Sequence, residues 1–320
     1  YVAMPKSPQA SETISLVVFF ASFSGLLMSA FMKVMFFSKN FEMANDAISK
    51  LESLFDEMDK NKLAHGDVSD MTSHDIDFSG VTFRYEEGVD VLTDFSLKLE
   101  SGKKYALVGS SGSGKSTIAK LISGFYPVSS GELKIGGVDI SKYKRETLEH
   151  EIAFVFQNAK LFKTSIYENV KIGRPDASRE EVIKALDLAM CGSILDKFET
   201  REDTIIGAKG VHLSGGETQR IAIARAILKD APIIILDEAS AASDPENEYE
   251  MQQAFSKLME GKTVIMIAHR LSSIRNVDEI LVVEDGKVTE RGSHDELIAK
   301  DSKYKNLQNL YNQANEWRLS

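Results

Sequence analysis

Lys104-Tyr-Ala-Leu-Val-Gly-Ser-Ser-Gly-Ser-Gly-Lys-Ser-Thr117 decides the fold. An apolar strand runs into a glycine-rich loop, and a helical pattern begins at once. This is the G-x-x-x-x-G-K-[ST] phosphate loop in its strand–loop–helix setting. Gly109, Gly112 and Gly114 can take backbone angles closed to other residues, so successive amides can turn inward toward phosphate oxygens. With Ser110, Ser111, Ser113 and Thr117 they form the cradle. The helix N-terminus adds partial positive charge. Lys115 is placed to neutralise the β- and γ-phosphates, and the Ser116 hydroxyl to ligate Mg²⁺.

Downstream, Ile233-Ile-Ile-Leu-Asp237-Glu238 reads as a buried parallel strand ending in two acids. Asp237 can hold Mg²⁺ through water, and Glu238 can polarise the water that attacks a γ-phosphate. Alone, the pair could equally be two solvated acids; beside a phosphate loop, the catalytic reading wins. A third element, Leu213-Ser-Gly-Gly-Glu-Thr-Gln-Arg220, opens the helical run Ile221 to Lys229. Ser214 is its N-cap, and Gly215 and Gly216 bare the first amides. Ser214 and Glu217 have the S-x-x-E spacing of a capping box. This is a second anion-binding helix terminus. One nucleotide does not need two from one chain, so the second is expected to serve a nucleotide held by another copy.

The chain has 320 residues and a formal net charge of -10, an acidic balance that argues against nucleic-acid partners. Its one cysteine, Cys191, excludes an intrachain disulfide and reads as a buried structural thiol. Ile14 to Met32 are 19 residues without a charge. As a helix they span about 30 Å, one hydrocarbon core. Small residues along it, among them Ser22, Gly25 and Ala30, suit packing against other membrane helices. Lys33 and Lys39 favour its C-terminal end as cytoplasmic. An amphipathic helix continues from Asn40 to Lys62, and polar residues Ala64 to Asp75 have linker composition. From Ile76 the chain turns to short strands, and after Lys103 strands alternate with helical patterns, which predicts a parallel α/β sheet.

Together the three elements resemble the nucleotide-binding domain of ABC transporters, Leu213 to Glu217 being similar to the family's signature loop. The resemblance spans about three quarters of the chain, from Ile76 to Gln313. It implies ATP and Mg²⁺ as cofactors and assigns further roles. Val81-Thr-Phe-Arg-Tyr85 resembles the segment whose aromatic residue stacks on adenine, Tyr85 here. Phe154-Val-Phe-Gln157 resembles the Q-loop, making Gln157 a Mg²⁺ ligand and sensor. Ile267-Ala-His-Arg270 resembles the switch, with His269 on the γ-phosphate, and Asp244 closes the D-loop. His65, His74, His150, His212 and His294 carry no motif and read as satisfied core or surface histidines. The implied fold is a RecA-like P-loop core with an antiparallel β-subdomain and a helical signature subdomain, preceded by a transmembrane helix with a cytosolic extension. The expected division is 1–39 membrane helix, 40–74 extension and linker, and 75–320 nucleotide-binding domain.

Leu161 to Asn169 and Glu290 to Leu297 resemble exporter-type half-transporters, which carry six membrane helices. The chain is thus expected to be part of a longer polypeptide in the cell membrane, with its ATPase on the cytoplasmic side. The implied partner is a second half-transporter, identical or not, and the transported substrate is unreadable. Glu217 stands where Gln is commoner, Ser243 where Leu is usual, and Ala208 where exporters carry Glu. None removes a phosphate or metal ligand. The alternatives are a soluble ABC ATPase, disfavoured by the uncharged run; a non-hydrolysing subunit, disfavoured by Glu238 and His269; and an exporter-shaped importer of metal chelates, which nothing in the segment separates from an exporter.

Overall fold

The computed structural model describes residues 8–60, 63–86, 88–207, 210–238, 245–268 and 274–319. It divides into two compact units, residues 1–62 and 63–320. The first is a single helix, α1 (Pro8–Lys60, 53 residues). The membrane-like run and the amphipathic run are therefore one uninterrupted rod, about 80 Å long at helical rise. It is long and apolar enough to cross a membrane. Its Ile, Leu, Phe and Met side chains are exposed along its length, so packing within this chain gives no reason for their hydrophobicity.

The second unit holds two sheets among its described residues. β1 (Ile76–Phe83), β2 (Leu92–Leu99), β4 (Ser130–Ile135) and β5 (Val138–Asp139) form an antiparallel sheet in the order β2-β1-β4-β5. β3 (Lys104–Val108), β6 (Ile152–Val155), β7 (Ile233–Glu238), β8 (Thr263–Ala268), β9 (Glu279–Glu284) and β10 (Lys287–Gly292) form the other, ordered β10-β9-β3-β8-β7-β6. Its strands are parallel except for the antiparallel edge pair β9–β10. Side chains alternate across the pleat. Tyr105, Leu107, Ile233, Ile235, Ile265 and Ile267 join one core cluster, with helix α2 (Lys115–Ile122) and the antiparallel sheet. Ala106, Val108, Ile234, Leu236, Val264 and Met266 join the other. Burial on both faces explains why these strands read as continuous apolar runs.

Helix α3 (Arg145–Glu151) leads into β6. α4 (Ile166–Lys171), α5 (Arg179–Leu188), α6 (Gly192–Leu195) and α7 (Gly215–Lys229) build the helical subdomain on the second cluster. α8 (Pro245–Leu258) packs against α7, and α9 (His294–Ala299) and α10 (Lys303–Leu319) close the chain. Arg220, 2% exposed, ties α7 to the α5–α6 turn and to α8 through Met190 O, Asn247 Oδ1 and Glu250.

The polar stretch expected to be a linker differs from that expectation. Residues 63–74 belong to the α/β unit. Gly66 N and Val68 N donate to Tyr143 O and Lys142 O, and Lys144 N donates to Val68 O. Backbone bonds of this kind need no apolar sequence, which is why composition hides them. Leu63 is the apolar anchor, 5% exposed, within reach of Gly124, as are Leu148 and Ile140. Leu63→Ala is expected to destabilise the α/β unit by about 2–4 kcal/mol, whereas His65→Ala at an exposed neighbour stays within about 0.5 kcal/mol. Urea unfolding followed by circular dichroism compares the two; equal midpoints would show that Leu63 is not a core residue.

Candidate functional site

The order β3-β8-β7-β6 places four carboxyl-terminal strand ends side by side. Leu107 pairs with Ile267, Ile267 with Asp237, and Leu236 with Val155. The phosphate loop follows β3, the His269 segment follows β8, Asp237 and Glu238 end β7, and Gln157 lies just past β6. Ligands in such sheets bind at these ends. His269, Asp244 and Ala208 lie outside the described residues, as does the Glu238 side chain; the Glu238 backbone pairs with Ala268.

Gly109 has φ +144°, and a Cβ there would sit 2.1 Å from Val283 O, so only glycine fits. Gly114, at φ 105°, caps α2 without a side chain. The first amides of α2 therefore have no competing cap and remain available to an anion. Lys115 is 7% exposed, and its Nζ donates to Gly109 O at 2.9 Å, Ser110 O at 2.6 Å and Ser113 Oγ at 3.2 Å. Burial lowers its pKa, with the Asp237 charge opposing. Tyr85 meets the loop from the antiparallel sheet. Its hydroxyl lies 3.1 Å from Thr117 Oγ1, and its ring stands edge-on to Phe83 and Tyr126, with Lys120 Nζ 5.5 Å from its centroid. Tyr85 is 41% exposed, so it is only partly covered by these neighbours.

Ser214 and Glu217 form the capping box their spacing predicts. Glu217 N donates to Ser214 Oγ at 3.3 Å, and Ser214 N donates to Glu217 Oε2 at 2.7 Å. Sequence reasoning missed the third partner, Lys197, whose Nζ donates to Glu217 Oε1. Nothing in the sequence signals it, since Lys197 sits 20 residues away in a turn without periodicity. Among the described residues, the side-chain hydrogen bonds of Ser214 and Glu217 run to each other's backbone and to Lys197, and none runs to the phosphate loop. A Cβ on Gly215 or Gly216 would meet nothing within 4 Å, in contrast to Gly109.

The oxygen donors Ser116, Asp237 and Gln157 suit a hard divalent cation such as Mg²⁺. Ser116 and Gln157 are exposed beside the loop and strand end that carry them. Three of the five histidines outside motifs have ordinary partners: His74 Nε2 and His150 Nδ1 both bond Glu151, and His294 Nδ1 bonds Tyr304 OH. Cys191 is fully buried, and desolvation pushes its thiol up to about 12. Iodoacetamide at pH 8 is expected to leave the native protein unmodified and to alkylate it in urea. Mass spectrometry reads the adduct, and native labelling within minutes would contradict the buried assignment.

Residues 92–241 match the ABC transporter family model. The chain is 47% identical over 237 residues to an ATP-dependent lipid A-core flippase of Pasteurella multocida (strain Pm70), covering 73% of this chain and 41% of that protein. It is 44% identical over 238 residues to a putative multidrug export ATP-binding/permease protein of Bacillus subtilis (strain 168), covering 74% and 41%. Among solved structures it resembles a bacterial Atm1-family ABC exporter with ATP bound. The TM-score is 0.73 at 34% identity, over 82% of this chain and 47% of that one. The chain thus spans less than half the length of these relatives. A phosphate loop on β3, acids on β7 and a serine-capped helix, in a fold shared with a solved ABC exporter, place this chain in the ABC transporter family, as a carrier of the domain that the family model matches.

Proposed function

We propose that this chain drives transport across a membrane by binding and hydrolysing ATP between two head-to-tail nucleotide-binding domains. Each site would take Tyr85, residues Gly109 to Thr117, Gln157, Asp237, Glu238 and His269 from one chain, and Ser214 to Glu217 from the other. The observation that carries the composite site is a second helix terminus open to the outside: a Cβ on Gly215 or Gly216 would meet nothing within 4 Å, and the side-chain bonds of Ser214 and Glu217 run to each other's backbone and to Lys197, not to the phosphate loop. Glycine there suits a close approach from outside the chain.

In this reading Tyr85 stacks on adenine, and the loop amides with Lys115 hold the phosphates. Ser116, Gln157 and Asp237 would hold Mg²⁺, which when bound neutralises charge on the β- and γ-phosphates. Glu238 accepts a proton from the attacking water, and His269 contacts the γ-phosphate, so that ADP and phosphate leave. In this reading α1 carries a membrane crossing followed by a cytoplasmic extension, and Lys33 and Lys39 at the end of the uncharged run favour the cytoplasmic side for the ATPase. The partner is a second half-transporter. The Bacillus subtilis relative and the solved structure are named for export, which favours export over chelate uptake here. Ser243 departs from the family pattern where its two nucleotide-binding domains touch, and Ala208 removes a charge near the membrane domain, which together favour a non-identical partner whose own loops compensate.

Because the signature acts on the other chain's nucleotide, ATPase turnover of this chain should rise more than linearly with protein concentration. Strict proportionality down to nanomolar protein would sink the composite site. The two key side chains should separate cleanly. Lys115→Ala is expected to weaken ATP binding roughly ten- to a hundredfold, the loss of a charge-assisted contact. Glu238→Gln is expected to keep binding but lower turnover by at least about a hundredfold, since an amide cannot accept the proton. Isothermal titration alongside phosphate release distinguishes them, and wild-type turnover in Glu238→Gln would remove Glu238 from its role.

A further inference from the structure

The charge of the signature segment is set by a side chain from another part of the fold. Glu217 is the third residue of α7, and its side chain is 9% exposed. Oε2 accepts from the Ser214 amide, and Oε1 from Lys197 Nζ, in the turn that follows α6. Lys197 is 57% exposed, so its ammonium keeps most of its water while making the pair. Burial works to raise the Glu217 carboxyl. The bonds from Lys197 and Ser214 outweigh it, and the group is held below its usual range. Glu217 is therefore charged at neutral pH, with one cation matched to it.

This pair has little to do with holding the fold. Glu217 is nearly buried but Lys197 is half-exposed, so water around the lysine screens the pair and limits its contribution to stability, and the cap needs only one carboxylate oxygen. Its consequence lies in electrostatics. If the composite site proposed above is right, on which this inference rests, Gly215 and Gly216 face a partner's triphosphate. A bare carboxylate two residues away would repel it, and in an interface of low dielectric that repulsion is poorly screened. We infer that Lys197 is a positioning residue for the nucleotide bound in trans: it cancels the charge of Glu217 and holds that carboxylate back on the Ser214 amide. The α7 terminus then offers its amides with no net negative charge.

The test is a charge series in the full chain, reconstituted in nanodiscs. Donor- and acceptor-labelled chains report pairing by energy transfer as a non-hydrolysable ATP analogue with Mg²⁺ is titrated. The wild type carries a Lys197–Glu217 sum of zero, Lys197→Ala minus one, Glu217→Gln plus one, and the double variant zero again. Glutamine can still bond back to the Ser214 amide, so Glu217→Gln preserves the cap. Lys197→Ala is expected to need roughly three- to tenfold more analogue for half-maximal pairing, and this deficit should shrink in about 1 M salt. Glu217→Gln should need less analogue than the wild type, and the double variant should return to within about twofold of it. A purely structural pair predicts otherwise: both single variants melt lower and the double is not rescued. If Lys197→Ala pairs like the wild type, or the double is no better than Lys197→Ala, the inference is overturned. A Ser214→Arg control separates the two levels. If it abolishes pairing while the charge series is flat, only the role of Lys197 fails. If it pairs like the wild type, the composite site fails and the inference falls with it.

Discussion

Register among β3, β8, β7 and β6 is the constraint from which the rest of the site follows. Leu107, Ile267 and Asp237 stand level across three strands, and the residues before them alternate between two dry faces. A slip of one residue in β7 would turn Ile233 and Ile235 toward the helices and Ile234 and Leu236 toward the other core. Every contact in both clusters would change at once. Asp237 can be polar only because it falls where the dry alternation ends. Tertiary burial, not the acids themselves, therefore fixes how far Asp237 and Glu238 lie along the strand from the phosphate loop.

The loop is held by the same logic from its other side. Gly109 passes against Val283 O of β9 too closely for any Cβ, and the Ser113 carbonyl accepts from Gly286 N in the β9–β10 turn. The loop is thus clamped by a neighbouring strand pair as well as by its own helix. The antiparallel sheet adds Tyr85, whose hydroxyl reaches Thr117 on α2. The ring proposed to stack on adenine is in this way tied to the helix proposed to receive the phosphates. Two sheets of different strand direction meet beside the phosphate loop because their shared core includes Leu107, Ile118 and Phe83 together.

What could be read from the sequence was local. The strand, loop and helix at 104–117 are contiguous, the capping box spans four residues, and Cys191 needs only its apolar neighbours. What could not be read depends on contacts distant in sequence. Leu63 docks near Gly124, yet its neighbours are polar because their backbone, not their side chains, makes the attachment. Lys197 finds Glu217 across a turn and a helix terminus, and no periodicity announces a single exposed lysine as a partner. The Arg220 bonds that join α7 to α8 are equally silent, since a fully buried arginine looks in sequence like any other helical one.

The two glycine-flanked helix termini differ in one further way, which bears on how the signature could act. α2 begins at Gly114 with no side-chain cap, so its amides stand ready. α7 begins with a closed capping box, which at first sight means that Ser214 must leave its cap before it can reach a phosphate. The chemistry of a hydroxyl removes that conflict. Ser214 Oγ accepts from the Glu217 amide through one lone pair. A serine hydroxyl also has an O–H to donate, and accepting a bond does not use it. The cap orients the oxygen and leaves its hydrogen free to rotate toward an incoming phosphate, while Glu217 is kept busy on the Ser214 amide and on Lys197. In the proposed composite site the box can therefore stay intact as the two domains close, and the signature helix would act as a preformed donor set, not as a segment that must first be unmade.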